Sequence, residues 1–160
     1  MNLWHGPPVV RWLTATFAAL ILLLPSTALA GLNRTEAALL REMNRVRAAH
    51  GLQPLRFDGH LERAARSHTT DMLSTGAFDH GAFDTRMLRF DVRGRLAGEN
   101  LAWGAGTSGT ARAIVEAWLA SPEHRANLLR RSFTRVGVGD LVGVFQGVTG
   151  AHVVTADFAG

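Results

Sequence analysis

The 160-residue sequence contains no cysteine, no tyrosine and no lysine. Without cysteine there is no disulfide, no thiol nucleophile and no thiolate metal ligand, so burial alone must hold the fold together. Without lysine, all 17 basic residues are arginine, a side chain that barely titrates. The sequence pI of about 11.3 therefore reflects the kind of base present, because the formal net charge is only +4. So small an excess is no argument for a nucleic-acid partner. Several motifs are missing as well: no G-x-S-x-G elbow, no H-E-x-x-H helix and no glycine-rich phosphate loop. There is no internal repeat and no low-complexity tail.

Long apolar runs are almost absent too. The exception, Trp12 to Leu24, follows Arg11, is broken by Pro25 and precedes the small-x-small triplet Ala28-Leu29-Ala30. It is short for a membrane span. Residues 1–30 therefore read as a secretory signal peptide cleaved after Ala30. Residues 31–160 are then one exported domain, secreted or periplasmic, with no stable membrane span after cleavage. That length suffices for one real core and is too short for two.

Within the domain, helical periodicity comes first. Asn33 or Thr35 can cap a helix to about His50, with Leu39, Met43 and Val46 on one face and Gly51 as its stop. Asn44 is an amide that can hold a neighbouring loop. Asp58 caps a second helix of about 17 residues ending at Gly76, with Leu61, Ala65, His68 and Met72 as its apolar stripe. His68, in mid-stripe, reads as a buried histidine bonded to a backbone or neighbouring group. Asp84 or Thr85 can start a short helix. Arg86, Arg89, Arg93 and Arg95 nearby read as a solvated face. Gly104 to Gly109 reads as a flexible link. A third helix carries Ala111, Ile114, Val115, Trp118 and Leu119, and Ser121-Pro122 starts a fourth. From Phe133 the period becomes two, giving antiparallel strands around a turn at Gly147 to Gly150. Helices first and a small antiparallel sheet later make an α+β domain.

Three residues in turn-rich settings on different elements point to a shared site: His80, Glu99 and His124. Glu99 lies in Gly98-Glu99-Asn100-Leu101-Ala102-Trp103-Gly104, a short glycine-bounded apolar run suited to a strand opening onto a cleft. Two imidazoles and a carboxylate can hold a metal, act as a general acid/base set, or form a structural network lining a groove. Residue types alone leave all three open.

Asn44-Arg45, His68-x-x-Asp71-Met72, Phe78-x-His80, Gly98-Glu99-Asn100, Trp118-x-x-Ser121-Pro122-x-His124-Arg125 and Val136-Gly137-Val138-Gly139 occur in this order. Together they resemble a bacterial member of the CAP superfamily, which also holds cysteine-rich secretory, antigen 5 and plant pathogenesis-related proteins. The resemblance covers essentially all of residues 31–160. It implies an α–β–α sandwich around a short antiparallel sheet, with a cleft lined in many members by two histidines and two glutamates.

By that resemblance His80 and His124 are the cleft histidines and Glu99 is the first acid. The second acid usually follows the helix tryptophan by three, where this sequence has Ser121; Glu116 and Glu123 lie nearby without matching the motif. Glu123 stands where bacterial members usually have glycine, and the last strand reads Val154-Thr155-Ala156 in place of aromatic-Thr-Gln. The resemblance thus implies a three-residue set, His80, Glu99 and His124, for a divalent metal such as zinc, with water completing the shell. Three functions are compatible with it: a binding module for a lipid, cell-envelope or protein ligand; a metal-dependent hydrolase; or a structural envelope protein. The incomplete acid set and the absence of a nucleophile favour binding over catalysis.

Overall fold

The computed structural model describes residues 32–160; the leader expected over residues 1–30 lies outside the described residues. Helix α1 (Arg34–Ala49) opens with a capping box in which Asn33 and Glu36 each accept the other's backbone N–H. Asn33, not Thr35, is therefore the cap. Leu39, Met43 and Val46 are buried on one side. Asn44 holds the next connector, accepting from Leu55 N at 2.7 Å and donating to Leu55 O at 3.0 Å. Strand β1 (Arg56–Phe57) follows, and Asp58 caps α2 (Gly59–Thr75), which ends on left-handed Gly76.

Helix α3 (Phe83–Arg89) starts one residue earlier than Asp84 and has no side-chain cap. Strand β2 (Ala97–Ala105) contains the Glu99 run. The expected flexible link is ordered instead: Gly104 belongs to β2, and Gly106–Gly109 form a 3-10 turn. Helices α4 (Ala111–Ala120) and α5 (Pro122–Leu128) meet at Ser121, with Pro122 in the first turn of α5; the Ser121 side chain makes no capping bond. Strands β3 (Arg135–Phe145) and β4 (Val148–Ala159) form a hairpin. Its turn is tighter than Gly147 to Gly150, because Gln146 and Gly147 both adopt positive φ and Thr149 and Gly150 already belong to β4.

The sheet order is β1-β3-β4-β2. The central strand β4 is antiparallel to both β3 and β2, and β1 adds a short parallel pairing to β3. The core under α1, α4 and α5 contains Leu39, Met43, Trp118, Phe133, Val136, Val138, Val154 and Phe158. Across the sheet, α2 lies directly on β3. A Cβ at Gly137 would sit 2.0 Å from Glu62 N, and one at Gly139 2.7 Å from Arg66 N. The Val-Gly-Val-Gly pattern thus records a helix–sheet approach that no side chain permits. Among the described residues no helix is long and apolar enough to cross a membrane.

β2 is an edge strand, and this positions the site. Its first half is flanked by the loop after α2 and by α5, so side chains from three separate elements converge on Glu99.

Candidate functional site

Glu99 is buried and accepts from two sides. His80 Nδ1 donates to Oε1 at 2.7 Å, and the Arg86 guanidinium donates to Oε2. Arg86 also reaches the His80 carbonyl oxygen at 3.3 Å, so one arginine holds both the carboxylate and the loop that carries the histidine. The arginine cluster therefore divides. Arg89, Arg93 and Arg95 are exposed as expected, whereas Arg86 is buried. A buried guanidinium needs a counter-charge, and Glu99 supplies it. His68 is buried as expected; its Nε2 donates to Asp79 O at 2.8 Å and lies 3.9 Å from Glu99 Oε2.

A pair of amides fastens α5 to the β2 edge. Asn100 Nδ2 donates to His124 O at 2.9 Å, and Asn127 Nδ2 donates to Glu99 O and Asn100 Oδ1, both at 3.1 Å. These bonds bring His124 into the same cavity as His80. That cavity, of about 340 Å³, is lined by His80, Phe83, Gly98, Glu99, Glu123, His124 and Asn127. Burial pushes the His124 imidazole below its ordinary pKa of 6.5; His80 lowers it further and Glu123 partly opposes the shift. His124 is thus neutral at physiological pH.

Asp157 stands directly opposite Glu99 across the β2–β4 ladder and is fully buried. Neither of its carboxyl oxygens has a hydrogen-bond donor among the described residues. Burial, and then the Glu99 charge, push its pKa well above the carboxylate range, with Arg86 opposing. Asp157 is therefore an acid whose burial beside Glu99 disfavours ionisation.

The expected three-residue metal set does not fit this arrangement. His80 and Arg86 occupy the two Glu99 oxygens, and a cation placed there would face the guanidinium. Among the described residues no group of three or more histidines and acids is arranged to hold a metal ion. Glu99 instead stands behind His80, leaving Nε2 as the ring nitrogen it does not engage. Carboxylates orient imidazoles in this way at many sites. Of the two acids considered as replacements, Glu123 lines the cavity, whereas Glu116 pairs with Arg112 on the outer side of α4.

Sequence reasoning missed Arg86, Asn127 and Asp157. Asp157 left one signal: alternation places it on the same strand face as Val153 and Thr155, both buried. Arg86 and Asn127 left none, since each lies in a short helix among other polar residues.

Comparison with known proteins gives a consistent result. The CAP family, described as Cysteine-rich secretory protein family, matches residues 40–157. Uncharacterized protein YkwD of Bacillus subtilis (strain 168) is 36% identical over 109 residues, 65% of this chain and 41% of that protein. Uncharacterized membrane protein YlbC of the same strain is 34% identical over 110 residues, 66% of this chain and 31% of that protein. The chain thus spans less than half the length of these two relatives. Among solved structures, an extracellular protein containing a SCP domain from Bacillus anthracis str. Ames superposes with TM-score 0.67 at 31% identity, covering 86% of this chain and 44% of that one. The layers described above are accordingly those of the α–β–α sandwich.

Proposed function

The chain belongs to the CAP, or cysteine-rich secretory protein, family, and from that premise we propose that it is an exported binding module whose His80–His124 cleft receives a lipid-like, cell-envelope or protein ligand without chemically altering it. The observation that carries this reading is the commitment of Glu99. Both of its oxygens serve internal donors, so Glu99 gives the cleft a rigid polar wall and is not itself a free base. The groups the cleft presents to a ligand are polar: the second nitrogen of His80, the His124 ring, which can both donate and accept, and the Glu123 carboxylate. Such a wall suits hydroxyl or amine groups, and about 340 Å³ accommodates a head group or a single side chain. In this reading residues 1–30 are removed on export and residues 31–160 act outside the cytoplasmic membrane. The leader-like sequence and the likeness to an extracellular Bacillus anthracis protein support that part. Amino-terminal sequencing of the exported protein checks the cleavage.

The test of binding is a titration with hydroxyl- and amine-bearing envelope lipids and glycan fragments, followed by the ring resonances of His80 and His124. The expected result is saturable shifts of both rings, with affinity lowered at least about tenfold in His80→Ala, a loss of about 1.4 kcal/mol. Saturation that leaves both rings unmoved places binding elsewhere and sinks the reading. A divalent-metal hydrolase is the second reading; with Glu99 committed to its internal donors, the metal would rest on the His80 and His124 rings without it, and the carboxylate-backed orientation of His80 is the observation in its favour. It requires zinc binding by calorimetry and hydrolytic turnover, both lost in His80→Ala and in His124→Ala. Zinc binding without turnover, or turnover that survives both changes, removes it.

A further inference from the structure

Five of the seven large apolar side chains exposed among the described residues gather at one end of the sheet: Phe78, Trp103, Val142, Val144 and Val148. From them we infer that the tip of the β3–β4 hairpin is a surface that inserts shallowly into the interface of a lipid bilayer. This surface is separate from the cleft. It lies at the far end of the strands from Glu99, because β2 runs from Ala97 beside the cleft to Ala105 beside the tip.

The tip is apolar on both faces. On the α2 face, the Phe78 and Trp103 rings meet Phe145 edge-on, with centroids 6.2 and 5.6 Å away, and Val148 stands opposite Phe145. On the other face are Val142, 56% exposed, and Val144, 63% exposed. Gly143 between them points towards Leu73 of α2, which fixes the two valines on the opposite side. A flat protein surface covers one face of a two-stranded ribbon and leaves the other in water. A fluid apolar medium covers both at once.

Charge supports the same occupant. Residues 141–151 contain no ionisable side chain, while Arg93, Arg95 and Arg135 lie at the opposite end of the sheet. At the turn Val144 pairs with Thr149 and Phe145 with Val148, and the Gln146 side-chain amide donates to Gly76 O, tying the tip to the end of α2. The first polar pair above it is Asp140–His152, with His152 level with Val142. From Val142 to Phe145 is roughly 10 Å at about 3.4 Å per residue, similar to the depth of interfacial elements, about 5–10 Å. Trp103, level with Val153, then sits at the rim, where indoles favour the interface.

The route of the chain agrees. Asn33 Nδ2 donates to Asp140 O at 3.3 Å, so the polypeptide enters the fold on the flank of β3 two residues before Val142. The sequence just upstream holds the apolar run Trp12 to Leu24.

The experiment uses the full chain with Trp4 and Trp12 changed to Phe, leaving Trp103 at the tip and Trp118, 1% exposed, in the core. Vesicles of uncharged phosphatidylcholine with brominated acyl chains are the probe. The expected result is quenching of the Trp103 emission while Trp118 is spared, with no dependence on added salt. In Val144→Asp/Val148→Asp the quenching weakens at least about tenfold in lipid concentration, the scale of one valine's burial. Trp118 emission and circular dichroism report the fold, and Val144→Ser/Val148→Ser replaces the aspartates if these perturb it. Vesicle binding without Trp103 quenching, quenching indifferent to both double variants, or binding confined to anionic vesicles and abolished by salt overturns the inference. So does a Trp103 blue shift without vesicles that follows dimerisation in the ultracentrifuge, which assigns the tip to a second copy.

Discussion

Among the described residues, two carboxylate–imidazole pairs are built to nearly the same measure. Glu99 accepts from His80 Nδ1 at 2.7 Å, and Asp140 accepts from His152 Nδ1 at 2.8 Å. Both carboxylates are buried. Their neighbours differ. Glu99 also holds the Arg86 guanidinium, and the His80 side chain is 60% exposed at a cavity. Asp140 is fixed through its backbone as well: its N–H donates to Glu36 Oε1 and its carbonyl accepts from Asn33. His152 is 26% exposed and packs close to Gly109, where a Cβ would meet its Cδ2 at 2.9 Å. The first pair is a fixed, charged platform beneath an accessible ring. The second is a tie between the hairpin and the start of α1. An acid–imidazole pair becomes a candidate site through its third partner and through access to its second ring nitrogen, not through the pairing itself.

The largest test of this difference is removal of the acids. Glu99→Ala leaves Arg86 buried without a counter-charge and is expected to cost about 3–5 kcal/mol. Asp140→Ala removes a hydrogen-bonded acid without stranding a charge and is expected to cost about 1–3 kcal/mol. Guanidinium denaturation of both variants measures the gap, and equal losses erase the distinction. Next come the histidines. His80→Ala is expected to lower cleft affinity at least about tenfold with a stability change within about 0.5 kcal/mol. His152→Ala is expected to cost about 1 kcal/mol and leave cleft affinity unchanged. Paired melting and ligand titrations read both outcomes, and a reversal of the pattern assigns the ligand to the wrong pair.

The pH dependence separates the two regions further. His124 in the cleft has its pKa pushed below the ordinary 6.5 by burial. Its neutral form therefore contributes stability above 6.5 that is lost as the pH falls below that value, where the unfolded chain takes up a proton and the folded chain resists. Asp140 is pushed above its ordinary 3.8, also by burial first. Its contribution is full below 3.8 and is lost as the pH rises through the folded value. Stability measured across this range should show a loss on acidification below 6.5 that His124→Gln flattens; an unchanged slope places the titration elsewhere. A small effect on stability is also expected of Asp157→Asn. An acid whose ionisation is already disfavoured tolerates the amide within about 1 kcal/mol, whereas Glu99→Gln, which discharges Arg86's partner, costs more by the same denaturation assay.

Much of the architecture was legible in local pattern. The apolar stripes of α1 and α2 and the cap at Asp58 depend on residues within a turn or two of one another, and each lies where its spacing places it. Asn44 stood out because a helix has little use for an amide there, and it bonds the Leu55 backbone in both directions. Misreadings arose where distant segments decide. Gly104 to Gly109 looked like a free link, yet a Cβ at Gly104 would sit 2.6 Å from Ser108 O, and one at Gly109 2.7 Å from Gly104 O and 2.9 Å from His152 Cδ2. The start signal at Ser121 and Pro122 held, since Ser121 is the N-cap residue and Pro122 opens α5, although the Ser121 side chain makes no capping bond and the residue also ends α4. In the cleft, His80, Glu99 and His124 were identifiable as polar groups in turn-rich segments. The groups that define their chemistry, Arg86 and Asp157, looked like surface charge or an ordinary strand acid.

The sequence alone therefore determined the family, the fold class, the positions of the helices and the three polar residues of the cleft, because motif order and hydrophobic period are properties of neighbouring residues. The tertiary structure alone decided which charges are buried and which partner each one faces. Glu99 and Arg86 are 13 residues apart, and Glu99 and Asp157 meet across a strand ladder. A charge's energy depends on the surrounding dielectric and on what stands within a few ångströms. Both are consequences of packing, and neither is encoded in any single stretch of the chain.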